Sequence, residues 1–269
     1  MGGRDHGGGR ADRPGPRLRS VRREGAERRR ADARRSGRLA EAVSTGRWAL
    51  RLAERTGDPT AVAFERANLA ELHLLLREFT EAEGQARTAV RETGERAEWC
   101  APYALAAPAR VLIRTGGPGA AELPARAGEV AGAQGDEQAV REVRTARAEL
   151  LLRENRPREA LVALAGGSGP GTAPLPAWAH LLSGRAEHAV RLASPETVRA
   201  EQAGERLSLT EAYTVRAAAL ATLGRERAAH EEFGRAAALA AELPYPAGAS
   251  AVAEAAASNW DAAGTGFPG

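Results

Sequence analysis

The sequence predicts an all-α protein: a solenoid of antiparallel helix hairpins, about ten to twelve helices, behind a disordered basic N-terminal tail. Three observations predict it. Alanine supplies 62 of the 269 residues, and alanine is the strongest helix former. Isoleucine and valine together supply only 14, too few β-branched side chains for a buried sheet. Small residues also recur on one template at a nearly constant step, from Ala42 to Ala82 to Ala121 to Ala160, as they do where a single supersecondary unit is stacked on itself.

The tail comes first. Residues 1–35 hold Gly2, Gly3, Gly7, Gly8, Gly9, Gly15, Pro14 and Pro16 and almost no large apolar side chain. Such a segment cannot bury enough surface to offset its ordering entropy, so disorder is expected. A short helix over 22–35 is compatible with the sequence but has no clear apolar face. All 38 basic residues are arginine, a bias that GC-rich codon usage explains. Residues 1–40 carry 13 arginines against 5 acids, whereas the remainder of the chain carries 25 against 30, so the basic character belongs to the tail. A basic arm can hold phosphates. Residues 1–47 nevertheless have no aromatic interleaved with the arginines, and nucleic acid is not the expected partner.

Residues 36–260 form the expected repeat domain. In its clearest unit Ala70 is followed by Ala82, Ala86 and Ala89, at intervals of 12, 4 and 3. The first small residue sits in one helix and the last three form a stripe on the next, where two antiparallel helices can approach closely. The template returns at Ala109, Ala121, Ala125 and Gly128, at Ala148, Ala160, Leu164 and Gly167, and at Ala217, Ala229, Phe233 and Ala236. Ala42, Gly46 and Ala49 open the array, and Ala177, Ala189 and Ala193 give a degenerate copy. Gly57-Asp58-Pro59, Gly116-Gly117-Pro118, Asn155 to Pro157 and Gly224 punctuate the helical runs, with glycine suited to helix C-termini and proline to first turns. A flexible break is expected near 166–174 and a disordered C-terminus over 261–269.

Several chemistries are excluded or disfavoured. Cys100 is the single cysteine, so no intramolecular disulfide forms. No run of 18 apolar residues predicts a membrane span, and no apolar stretch behind the N-terminal arginines marks a signal peptide, so a cytoplasmic location is expected. Without lysine there is no phosphate-binding G-x-x-x-x-G-K-[ST] loop. His6, His73, His180, His188 and His230 show no metal-ligand spacing. His73 is expected to pack, His180 and His188 to approach one another across a turn, and Cys100 to act as a small buried hydrophobe. Glu231 and Glu232 are expected on a solvated face. No catalytic residue, cofactor or metal site is expected.

The small-residue anchors resemble the tetratricopeptide repeat, whose consensus unit is about 34 residues. The longer step found here resembles the sensor arms of bacterial LuxR-type regulators and adenylate-cyclase-associated signal-transduction ATPases. The stretches Arg51 to Asp58, Asn68 to Leu72, Trp99 to Tyr103 and Leu243 to Pro246 look like that group, and the likeness covers roughly 38–258. The ATPase loop and a terminal DNA-reading helix-turn-helix are missing, so the resemblance implies the scaffold and not those activities. It implies a concave face lined by the first helix of each unit. That places Phe64 and Glu71, then Tyr103 and Arg110, then Glu142 and Glu149, then Glu211 on one surface. Phe64, Glu71, Tyr103, Arg110 and Glu149 are the candidate partner-binding residues, for a protein or peptide. The expected function is a non-catalytic interaction or regulatory scaffold; the alternative is a ligand- or partner-sensing arm, or remnant, of such a regulator.

Overall fold

The computed structural model describes residues 16–93, 100–166, 173–258, 260 and 266–268. Among these residues there are thirteen helices and no strand. They are α1 (Pro16–Arg35), α2 (Leu39–Thr56), α3 (Pro59–Leu75), α4 (Phe79–Thr93), α5 (Ala101–Thr115), α6 (Glu122–Gln134) and α7 (Glu137–Arg153). The remainder are α8 (Pro157–Leu164), α9 (Pro174–Leu182), α10 (Ala186–Ala203), α11 (Arg206–Thr222), α12 (Glu226–Glu242) and α13 (Pro246–Ala257).

Local chemistry sets the boundaries. Gly57 ends α2 in the left-handed region at φ 68°, where a side chain would be strained. Asp58 then caps α3 by accepting from the Ala61 N–H at 3.1 Å, and Pro59 fills the first turn, where no N–H is needed. Asp136 caps α7 the same way, accepting from the Gln138 and Ala139 N–H groups at 3.0 and 3.1 Å.

Each helix packs on its chain neighbour, and the odd-numbered helices from α3 to α13 also pack on one another in sequence. The even-numbered helices lie outside that row. The row closes, since α13 touches α3 and α1 touches α11. At the closure Leu39, Leu69 and Leu72 share one core with Leu207, Leu243 and Tyr245. Gly37 in the α1–α2 turn lies so close to Leu243, at φ 76°, that no β-carbon fits there.

Two expectations need correction. Residues 16–35, assigned to a disordered tail, form α1, while residues 1–15 lie outside the described residues. The helix docks without a large apolar face. Ala26 and Ala33 are buried, and between them buried Arg30 pairs with Glu65 of α3. A face made of two alanines and one neutralised charge is invisible to a search for leucine and valine.

The second correction concerns Ala121 and Ala125, which are exposed; Leu123, Ala127 and Ala131 make the contact instead. The α5–α6 connection runs over 116–121, twice the length of the 76–78 turn between α3 and α4, and shifts the stripe along the helix. Most other anchors are buried: Ala42, Gly46, Ala49, Ala70, Ala82, Ala86, Ala89, Ala109, Ala148, Ala160, Ala177, Ala189, Ala193, Ala217, Ala229 and Ala236; Gly128, Leu164 and Phe233 are half-buried, and Gly167 lies outside the described residues. The expected break at 166–174 and the expected disorder over 261–269 fall largely outside the described residues. No helix among those described is long and apolar enough to cross a membrane.

Candidate functional site

The closed row surrounds a lumen of about 1170 Å³ to which α1, α3, α5, α7, α9, α11 and α13 all contribute side chains. Phe64, Glu71, Tyr103, Arg110, Glu142, Glu149 and Glu211 all line it, so every residue assigned to one face from the repeat register is found there.

Arg110 of α5 is the centre. Its Nε and Nη2 donate to the two oxygens of Glu149 at 3.0 and 2.8 Å, a bidentate pair with α7. Its Nη1 donates to Glu71 of α3 at 2.8 Å. Arg34 of α1 stands 3.8 Å from the other Glu71 oxygen. These positions repeat 39 residues apart, from Glu71 to Arg110 to Glu149, which is why stacking sets them side by side. Burial opposes ionisation of Glu149, but the Arg110 charge and hydrogen bonds outweigh it and hold the carboxyl below its usual range. The same two carboxylates raise Arg110 further above its ordinary value, against burial.

The aromatic pair sits beside this ladder. Phe64 and Tyr103 meet edge to face with centroids 6.0 Å apart, both half-buried. The Tyr103 hydroxyl donates to Asp136 at 2.9 Å, tying the ring to the α7 cap. Burial and the adjacent Asp136 push the phenol up. Tyr103 is thus a neutral donor and wall, unsuited to proton abstraction.

Among the described residues, Glu142 and Glu211 of the lumen make no ion pair. Glu142 is raised chiefly by burial and then by Glu71 across the lumen. Glu211 is raised by burial and accepts from the Tyr245 hydroxyl at 3.2 Å. It is exposed to the lumen yet lies deep inside the protein, so loss of bulk solvation governs it. Arg114 and Arg141 also line the lumen; among the described residues their guanidiniums make no hydrogen bond or close ion pair, and their charges act at longer range on Glu149 and Glu211 and on Asp136 and Glu142 respectively.

Sequence reasoning missed Arg114, Arg141, Trp178 and Tyr245. The first pair carried a usable signal: Arg114 is one turn beyond Arg110 and Arg141 directly precedes Glu142. Trp178 also carried a signal, since it follows the anchor Ala177 of the degenerate copy as Glu71, Arg110 and Glu149 follow Ala70, Ala109 and Ala148; Tyr245 falls after the last hairpin, where no register reaches it.

Other expectations can be placed. His73 is buried and its Nδ1 meets Glu78. Cys100 is buried with Sγ 3.3 Å from the Thr60 carbonyl. His180 and His188 stack with centroids 4.0 Å apart, and burial followed by the His188 charge lowers His180 to about 4. Glu231 is exposed, but Glu232 is buried against Arg216 at 2.6 Å and Arg235 at 3.1 Å, so the solvated face expected for that pair applies to Glu231 alone. No protein-family model matches the chain, and no curated protein matches it in sequence.

Proposed function

We propose that this chain is a non-catalytic interaction module of the tetratricopeptide type its repeats resemble, holding an extended segment of a partner protein in the lumen. The observation that carries the reading is the unequal use of charge there. Arg110 is saturated by two carboxylates and acts as structure. Among the described residues the Arg114 and Arg141 guanidiniums and the Glu142 carboxylate make no side-chain hydrogen bond or close ion pair, although the Arg141 charge acts on Glu142 and Asp136 and the Arg114 charge on Glu149 and Glu211. Guanidiniums so placed suit a carboxylate on the occupant, Glu142 suits a backbone or side-chain donor, and the Phe64–Tyr103 pair gives an apolar wall.

The test has two stages. Proteins captured from lysate are identified, and the bound segment is titrated as a synthetic peptide by calorimetry. Arg114→Glu with Arg141→Glu should weaken binding at least tenfold while the melting temperature stays within a few degrees. Equal affinity in the variant, or binding that persists when Phe64 and Tyr103 are both alanine, overturns the reading.

A second reading is that the chain is the sensing arm, or a remnant, of a LuxR-type regulator or signal-transduction ATPase. What favours it is the long repeat step together with a lumen that touches every odd helix, so an occupant bears on the α1–α11 and α3–α13 closure. An adjacent reading frame for an ATPase or a helix-turn-helix protein would favour it over the first.

A further inference from the structure

We propose that the lumen contains an aromatic-binding subsite, built by Trp178 of α9 and Arg153 of α7, which the chain's own Phe267 occupies as an internal stand-in for a partner's side chain. Trp178 is buried, and it meets the Phe267 ring in a T-shaped arrangement, with centroids 5.9 Å apart and planes at 84°. The Arg153 guanidinium carbon lies over the Phe267 ring, 6.0 Å from its centroid. Trp260 also packs on Trp178, with centroids 5.6 Å apart, pinned by its own indole N–H donating to the Ala255 carbonyl at 2.8 Å. An indole and a guanidinium converging on one ring is the chemistry that recognises an aromatic side chain.

The occupant's character identifies it as a stand-in. Gly266, Phe267 and Pro268 belong to no helix, whereas every other wall of the lumen is helical or caps a helix. Phe267 and Pro268 are half-buried at the lumen and Gly266 is exposed. A non-helical Gly-Phe-Pro segment with Phe267 and Pro268 at the lumen resembles a bound peptide, supplied in cis. The class of partner follows: an extended segment presenting an aromatic residue followed by proline, whose pre-set backbone loses little entropy on binding. To fill this subsite a partner must displace Phe267.

The inference rests on the proposed function only for the identity of the incoming segment, so its test uses a peptide of known sequence and no partner. The readout is the indole N–H resonance of Trp178 in the full chain, assigned with Trp178→Phe. Phe267→Ala should shift that resonance, while Phe267→Tyr, which keeps a ring, should leave it near its original position. A peptide copying residues 263–269, Ala-Gly-Thr-Gly-Phe-Pro-Gly, is then added to the Phe267→Ala chain. A short tether supplies an effective concentration in the millimolar range, so a titration to about 10 mM covers the expected affinity. The resonance should return at least halfway, and the peptide with alanine for phenylalanine should leave it unmoved. An unshifted Trp178 in Phe267→Ala, or no return at the end of the titration, overturns the inference. So does an equal response of the unmodified chain, whose subsite is already filled.

Discussion

The odd- and even-numbered helices face different packing problems. α4 and α12 each bury one narrow stripe, Ala82, Ala86, Ala89 and Thr93 in the first and Ala229, Glu232, Ala236 and Ala240 in the second. α3 buries most of its circumference, from Ala61, Val62 and Ala63 through Leu69 and Leu72 to Leu75, because it is walled by α2, α4, α5 and the closing α13. An outer helix therefore reads as a simple amphipathic pattern, and an inner one does not. What remains distinctive on an inner helix is its polar minority; part of it, such as Glu71, Arg110, Glu142, Glu149 and Glu211, reaches the lumen, while Glu65 and His73 pair elsewhere.

The contrast is broken most severely at Arg30. This guanidinium is the polar centre of an otherwise alanine-faced α1, and its partner Glu65 is fully buried in α3. Removing one member of a buried pair leaves the other's desolvation poorly offset. Arg30→Met should cost on the order of 3 kcal/mol in urea unfolding, and adding Glu65→Leu should recover much of it. If Arg30→Met is neutral, α1 is a loosely attached arm, as its composition alone implies. Arg110→Met tests the same principle in the lumen. Arg110 is one-fifth exposed, and Glu71 is more accessible than Glu65, so a smaller loss, about 2 kcal/mol, is expected from the same measurement.

The outer layer is sharpened by two alanines. Ala86 is fully buried where α4 meets its neighbours, so Ala86→Leu should cost about 1–3 kcal/mol by overpacking. Ala121 occupies the template anchor that matches buried Ala82, one anchor before Ala86, yet is exposed, so Ala121→Leu should stay within about 0.5 kcal/mol of the parent. Thermal melts of the pair separate the register of the structure from the register of the spacing rule.

These cases show how far the sequence could be read. The helical class followed from alanine and the scarcity of β-branched residues, and the lumen-facing set from Phe64 to Glu211 followed from the repeat template together with the face that the tetratricopeptide resemblance implies. The rule failed at Ala121 because a longer connection, over 116–121, moved the stripe without changing composition. It failed at α1 because alanine contacts with a buried arginine look like a solvated tail. Closure of the row was not legible at all. Leu243, Tyr245 and Gly37 meet from opposite ends of the chain, and no local pattern records so distant a contact.

The smallest expected effect is also the most diagnostic of the lumen's electrostatics. Glu142 and Glu149 lie two helical turns apart on α7 but are shifted in opposite directions. Glu149 is held low by Arg110, so its charged form stabilises the fold above the usual carboxylate range, and that contribution is lost as pH falls through its lowered value. Glu142 is held high by burial and by Glu71, so its charged form destabilises the fold at neutral pH, and that penalty vanishes as pH falls through its raised value. Glu142→Gln keeps the shape and removes the charge. It should therefore raise the melting temperature at pH 7, by less than about 1 kcal/mol of stability given the partial exposure of the site. The gain should shrink on acidification and disappear by the ordinary glutamate value of 4.5, where the parent is itself protonated. Glu149→Gln should destabilise at pH 7 and converge on the parent only at lower pH. Melts of both variants across pH 4 to 7 check the signs. Parallel curves for the two would mean that Arg110 neutralises both carboxylates alike, and that Glu142 is not free to meet a partner.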